Sequence, residues 1–399
     1  MSLIDDLMVP ANWAAFQARK REQGHLSKED DAALAAFIET RAYLEVVTRI
    51  TDGTGFGLPT KKLVNKAGSE RKRVVYSFDP NETWILKLVA QLLYRYDDHQ
   101  PTGCYSFRRD LGAHQAVRDL IRRGVDGSWC TKIDVHDYFN SISVPRLLSR
   151  LQQVMADDPT LLSFLTKVLT ADQAYYEGAI VNGPRGVMAG TPTAPFLANL
   201  YLADLDGHFT RRAAPYARYS DDIVVFAASQ LEAEANRDAI TDILAAHELS
   251  VNERKTRIYP PDEPWEFLGF SYLHGVIDLS TATRMKLKAK IRRKARSLRR
   301  WMLRKGATPE RAQRALIRSF NRKFFETVRA TDLTWCRWFF PLLTTATGLQ
   351  EIDHYLQGYL RWLPTGRFID RNYITRYADL KALGYRSLVH EHYAIRHTI

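Results

Sequence analysis

Ala217-Arg218-Tyr219-Ser220-Asp221-Asp222-Ile223-Val224-Val225-Phe226 is the stretch on which the fold turns. Two adjacent carboxylates stand between an aromatic run and a β-branched run. Neighbours on a regular strand point to opposite faces. The pair is therefore placed at the tip of a tight hairpin. Like charges held together repel, and folding gains nothing from that unless a cation sits between them. The natural cation is divalent and hard, with oxygen ligands, which suggests Mg²⁺. A solvated Asp-Asp turn is the plain alternative, and a lone pair would favour it. The rest of the chain reverses that preference.

A third acid has a matching setting. Ser128-Trp129-Cys130-Thr131-Lys132-Ile133-Asp134-Val135 reads as a strand ending in an acid, followed by a turn into a helix at residues 136–142. An Asp at a strand end beside an Asp-Asp hairpin makes a compact carboxylate cluster. Such a cluster could hold two metals about 4 Å apart, one for the attacking oxygen and one for the leaving oxygen. Phosphoryl or nucleotidyl transfer needs that layout, because its catalysis is mostly positioning and charge neutralisation.

With these motifs in this order, the chain resembles a reverse transcriptase. The resemblance implies an α+β right-hand polymerase, with fingers, a palm of antiparallel sheet with packed helices, and a helical thumb. It implies catalytic, metal-binding roles for Asp134, Asp221 and Asp222 toward two Mg²⁺, with the Val135 carbonyl beside them. Phe139 falls where the family keeps an aromatic gate against a ribose 2′-hydroxyl. Asp137 has no such role and reads as a helix N-terminal acid.

Other segments fit the same order. Residues 186–195 form a Gly- and Pro-marked loop into a helix with Phe196, Leu197, Leu200 and Tyr201 at helical spacing. Thr193 suits its N-cap and Pro195 its first turn. Gly190 has no side chain, so nucleotide or template could approach closely. Ala189 stands where the family usually has Gln, and Ala194 where it has Ser. Asn252-Glu253-Arg254-Lys255-Thr256 resembles the motif whose Lys lies near the triphosphate, so Lys255 is the candidate general acid toward pyrophosphate. Trp265-Glu266-Phe267-Leu268-Gly269-Phe270 resembles the primer-grip hairpin. Upstream, a hairpin with a Gly68-Ser69 tip carries Lys66 and Arg73, seven apart, where the family holds the incoming triphosphate; Arg71 competes with Arg73 for the role. An Arg fork matches phosphate oxygens. Arg108, in Tyr105-Ser106-Phe107-Arg108, falls near template and nucleotide.

Composition agrees. The 399 residues exceed what one core holds, and 45% hydrophobic with 26% charged is ordinary for a soluble protein. The net charge of +12 suits a polyanionic partner. Residues 284–305 contain twelve Lys or Arg and no acid. Met285, Ile291, Leu298 and Trp301 thread through them and would seat a helix on the protein. Lys286, Lys290, Arg293 and Arg300 would then offer contacts to nucleic acid. A membrane surface is the other partner for such a helix. It is disfavoured because the stretch follows the primer-grip motif, where the family places its thumb. Cys104, Cys130 and Cys336 have no disulfide or zinc spacing. No signal peptide or membrane span is read, and a reducing cytoplasm is expected. The aromatic tail reads as core or as a base-stacking surface.

The expected divisions are 1–50 helical segment, 51–130 fingers, 131–275 palm and 276–399 thumb and extension. Little room remains for an RNase H domain. The resemblance is therefore to group II intron, retron and defence-associated reverse transcriptases, and the tail Leu383-Gly384-Tyr385-Arg386-Ser387-Leu388-Val389 resembles the defence-associated "unknown group", with class 2 plausible. The expected partners are a structured non-coding RNA template, deoxynucleoside triphosphates and a DNA product. The expected setting is bacterial antiphage defence. An untemplated or protein-primed nucleotidyltransferase, using tail tyrosines such as Tyr373, Tyr377 or Tyr393, is one alternative. A non-catalytic, maturase-like RNA scaffold is the other. Template, priming mode and oligomeric state are not legible.

Overall fold

The computed structural model describes residues 2–24, 26–65, 72–326, 334–369 and 374–396. The chain divides into two compact units, residues 1–263 and 264–399.

The first unit opens with four helices, α1 (Leu3–Asp6), α2 (Pro10–Glu22), α3 (Lys28–Glu39) and α4 (Tyr43–Thr51). Ser27 caps α3 by accepting from the Asp30 N–H, as its sequence signal requires. Trp13 stacks on Tyr43 and meets Phe37 edge-on, at 5.3 and 5.2 Å between ring centroids. These rings are fully or almost fully buried, each contributing about 1.5–3 kcal/mol of apolar burial.

β1 (Thr60–Asn65) and β2 (Lys72–Ser77) form an antiparallel hairpin from Thr60↔Ser77 to Asn65↔Lys72. Its expected Gly68-Ser69 tip, with Lys66 and Arg71, lies outside the described residues. α5 (Pro80–Leu92) and α6 (Ala113–Arg122) follow. Next come β3 (Trp129–Asp134), α7 (Tyr138–Ser141), α8 (Val144–Val154) and α9 (Pro159–Leu169). β4 (Gln173–Tyr176) and β5 (Ala179–Asn182) complete a sheet of order β2-β1-β4-β5.

α10 (Ala194–Tyr201) and α11 (Ala203–Arg211) lead into the hairpin of β6 (Tyr216–Tyr219) and β7 (Asp222–Ala227). α12 (Gln230–Ala246) and β8 (Arg257–Tyr259) close the unit. Thr193 does sit at the N-cap of α10, but its side chain makes no cap bond. The second sheet, β6-β7-β3-β8, is antiparallel throughout. α12 covers β3 and β7, and the Thr131 hydroxyl donates to the Ala233 carbonyl at 2.8 Å. Residues 223–227 are all buried, which explains an unbroken apolar run where a one-faced strand would alternate.

The second unit holds β9 (Trp265–Phe267), β10 (Phe270–Leu273) and β11 (Val276–Leu279), then α13 (Thr281–Lys305), α14 (Pro309–Phe324), α15 (Trp335–Phe339), α16 (Thr347–Thr365), α17 (Tyr377–Ala382) and α18 (Leu388–Arg396). The primer-grip-like strands thus cluster with the helical unit. The tail aromatics Phe324, Trp335 and Phe339 pack on one another at 5.4 and 4.6 Å, so they build core. The stretch 383–389 docks through buried Asp353, which accepts from the Tyr385 and Ser387 hydroxyls and the Leu388 and Val389 N–H groups. No helix among the described residues is long and apolar enough to cross a membrane. All three cysteines are buried free thiols.

Candidate active site

Register assembles the site. Tyr219 pairs with Asp222 across a two-residue turn, Ser220-Asp221, with Ser220 in the left-handed region at φ +60°. Asp222 in turn lies opposite Asp134 across β7 and β3, and the Val135 N–H donates to the Asp221 carbonyl at 2.9 Å. Three acids distant in sequence therefore occupy one end of the same sheet.

Two lysines hold their charge apart. The Asp134 carboxylate accepts from the Lys255 ammonium at 2.5 Å and from the Asn252 amide at 2.9 Å. The Asn252 N–H also donates to the Asp134 carbonyl at 2.7 Å, so the Asn-x-x-Lys segment is stitched to the end of β3. Asp222 leans toward Lys132, 3.7 Å away. Burial, then the Asp134 charge, raises the Asp221 pKa. Burial raises Asp222 to about 6; Lys132 opposes this and the two neighbouring acids add to it.

No group of three or more His, Cys, Asp or Glu among the described residues is arranged to hold a metal ion. Asp134 and Asp222 are drawn to different lysines, and Lys255 supplies at Asp134 the positive charge that a metal would bring. The donor set still fits a hard divalent ion. It consists of carboxylate oxygens, and the buried Asp222 Oδ1 has no hydrogen-bond partner.

The nucleotide-side expectations divide. Phe139 is half-buried in α7, with the Arg73 guanidinium 5.9 Å from its ring centre. Its carbonyl accepts from the Val187 N–H at 3.0 Å. At Gly186, φ +63°, an added Cβ would stand 2.0 Å from that same carbonyl oxygen. Gly190 has a packing reason: an added Cβ would lie 3.1 Å from the Tyr76 carbonyl and from Val75, and the Tyr76 N–H donates to the Ala189 carbonyl at 2.8 Å. Its bare backbone admits β2. Lys66 lies outside the described residues. Arg108 also differs from expectation: its guanidinium donates to the Pro101 and Asp97 carbonyls at 3.0 and 3.2 Å, so it ties its own loop together.

In the second unit, α13 buries Leu287, Ile291, Ala295 and Met302. Met285, expected on that face, is 63% exposed, because two residues are about 200° round a helix from Leu287. Lys286, Lys290, Arg293 and Arg300 fall within about 80° of one another on the other side. Lys290 is half-buried and the other three are exposed. Burial, then Lys290 beside it, lowers the Lys323 pKa, so this stripe concentrates positive charge.

Residues missed in the sequence lie behind the acidic turn. Arg218 is fully buried and forks onto Asp206, at 2.8 and 2.5 Å. Ser106 and Asn199 complete the network. A lone Asn in the apolar run Phe196-Leu197-Ala198-Asn199-Leu200 was the available signal, since a buried amide demands partners.

Known proteins resemble this chain in sequence and in fold. Residues 64–272 match the family described as "Reverse transcriptase (RNA-dependent DNA polymerase)". Retron Ec86 reverse transcriptase of Escherichia coli is 22% identical over 237 residues, covering 57% of this chain and 67% of that protein. Retron Ec48 reverse transcriptase, also of Escherichia coli, is 23% identical over 199 residues, covering 47% of this chain and 46% of that protein. Telomerase from Candida albicans, solved with a fragment of telomeric RNA, has a TM-score of 0.45 at 11% identity, covering 88% of this chain and 71% of that one. The family match runs from the end of β1 through the three acids and Lys255 into β10, and α13 lies beyond it. The α+β right-hand polymerase class read from the motifs stands, and the chain belongs to the reverse transcriptase (RNA-dependent DNA polymerase) family.

Proposed function

We propose that the chain is an RNA-templated DNA polymerase that works with a structured non-coding RNA in the bacterial cytoplasm, in antiphage defence. The carrying observation is the register that sets Asp222 opposite Asp134 while Val135 anchors the Asp221 carbonyl. The retron relatives support the partnership with RNA, and the basic stripe of α13 supports a polyanionic ligand.

Asp134, Asp221, Asp222 and the Val135 carbonyl would hold the Mg²⁺ ions. Two such ions supply charge neutralisation at the attacking and leaving oxygens. Lys255 offsets the Asp134 charge. Its ammonium is then positioned to take up triphosphate charge and to give its Nζ proton to the departing pyrophosphate. Arg73 and Lys66 would bind phosphate oxygens. The Phe139 ring would fill the space a 2′-hydroxyl needs.

Primer extension on an RNA template tests this. Asp221→Ala with Asp222→Ala should cut the rate at least 10²–10³-fold. Full synthesis by that variant would sink the assignment. DNA left covalently on the protein, or made without template, would favour the protein-primed or untemplated reading.

A further inference from the structure

The Ser220-Asp221 turn is strained and tied on every side. Ser220, a residue with a Cβ, holds φ +60°, a conformation that persists only where the surroundings over-determine it. Its N–H donates to the Ser106 hydroxyl at 2.8 Å, and its carbonyl accepts from Arg218 at 3.3 Å. The Asp221 carbonyl is held by Val135. Each of these holders is itself fixed. Ser106 donates to the Asn199 side-chain oxygen at 3.1 Å, and the Asn199 amide donates to the Ser106 carbonyl at 2.6 Å. Arg218 donates to the Asn199 carbonyl at 3.2 Å and forks onto Asp206, which also accepts from the Tyr216 hydroxyl at 2.8 Å. The strand carrying Arg218 is braced from outside, where its N–H donates to Gly103 and its carbonyl accepts from Tyr105, at 2.7 and 2.9 Å. None of these residues needs to touch a substrate.

Two neighbouring carboxylates would relieve their repulsion by splaying, and a free two-residue turn would let them. We propose that Ser106, Asn199, Arg218 and Asp206 form a positioning clamp that holds the Ser220-Asp221 turn in the conformation in which its acids take up a divalent metal. The proposal rests on the metal-binding reading of those acids. It assigns the Tyr105-Ser106-Phe107-Arg108 segment a role through Ser106 and not through Arg108.

Ser106→Ala is the sharpest variant, because it deletes one hydroxyl and leaves the ion pair alone. Ser106→Thr restores the hydroxyl. Asp353→Asn perturbs an equally buried carboxylate in the second unit and serves as the control. Three quantities are measured: Mn²⁺ binding by calorimetry, amide exchange of residues 216–227 without metal, and the Mg²⁺ needed for half-maximal primer extension. Ser106→Ala should weaken Mn²⁺ binding about tenfold, as loss of a residue supporting metal ligands does. It should also speed exchange within 216–227 and raise the Mg²⁺ requirement by a similar factor. The KM for deoxynucleotide should stay within about twofold. Ser106→Thr should recover most of each effect, and Asp353→Asn should show none. Unchanged Mn²⁺ binding in Ser106→Ala, with the unaltered protein binding normally, overturns the clamp alone. An unaltered protein that binds no Mn²⁺ overturns the reading of the acids, and the clamp with it.

Discussion

Removing the carboxylate from Asp206 should destabilise the protein more than removing both partners of its ion pair. Arg218 is fully buried, and among the described residues its side-chain donors reach Asp206, the Asn199 carbonyl and the Ser220 carbonyl. Asp206→Leu therefore strands a guanidinium charge in the interior. Breaking a buried pair in this way costs about 3–5 kcal/mol. The Tyr216 hydroxyl loses its acceptor as well, adding about 1–3 kcal/mol. At about 2–4 °C per kcal/mol for a unit of this size, the pair term alone lowers Tm by about 6–20 °C. The double variant Asp206→Leu with Arg218→Met removes the stranded charge and should recover at least about 2 kcal/mol, giving strong non-additivity. Urea unfolding followed by circular dichroism, with both single variants and the double, measures the cycle. A loss below about 1 kcal/mol in Asp206→Leu, or a double variant that loses the sum of the two singles, refutes the reasoning. Since apolar replacement of buried ion pairs is often neutral or stabilising, stability alone is a poor reason for this pair, and the orientation of the acidic turn is a better one.

Three further outcomes are expected. Asp222 has its pKa raised from 3.8 to about 6, so the folded state binds its proton more tightly than the unfolded chain does. Metal-free stability should therefore fall as pH rises from about 4 to about 6, by up to about 3 kcal/mol from Asp222, and Asp222→Asn should shrink the fall to the part due to Asp221, whose pKa is raised as well; parallel stability curves for the two proteins would contradict this. Phe139→Ala should admit ribonucleotides, and Gly186→Ala should do so more weakly while lowering Tm, because its Cβ collides with the Phe139 carbonyl; competition between ribo- and deoxynucleotides reads both. Changing Lys286, Lys290, Arg293 and Arg300 together to Gln should flatten the slope of log affinity for single-stranded RNA against log salt by about 3, and an unchanged slope removes the stripe from the interface.

How far the sequence carried is plain at particular residues. The hairpin tip was readable because its signals are local: an aromatic strand, a polar pair and a β-branched strand within ten residues. Lys255 was placed by its motif, but its bond to Asp134 joins residues 121 apart and depends on β8 pairing with β3. Arg218 was not singled out, since nothing next to it in the chain discloses Asp206 on α11. Gly190 and Arg108 show how one residue type serves two ends. Each residue type suits a ligand, yet a bare backbone suits a packed strand equally well, and a guanidinium suits loop carbonyls. On α13 the apolar residues outnumber one face, so periodicity alone could not choose between Met285 and Leu287.

The two sheets of the first unit differ in how their margins are finished. β6 is flanked by the 103–105 segment through the Cys104–Arg218 bridge, and β8, at the far side, runs only three residues. Neither margin offers a long template for a stranger's backbone. The β2-β1-β4-β5 sheet ends on β5, where Ile180 is 56% exposed. Self-association in concentrated solution should begin along that rim, and a lysine at position 180 is the natural gatekeeper against it.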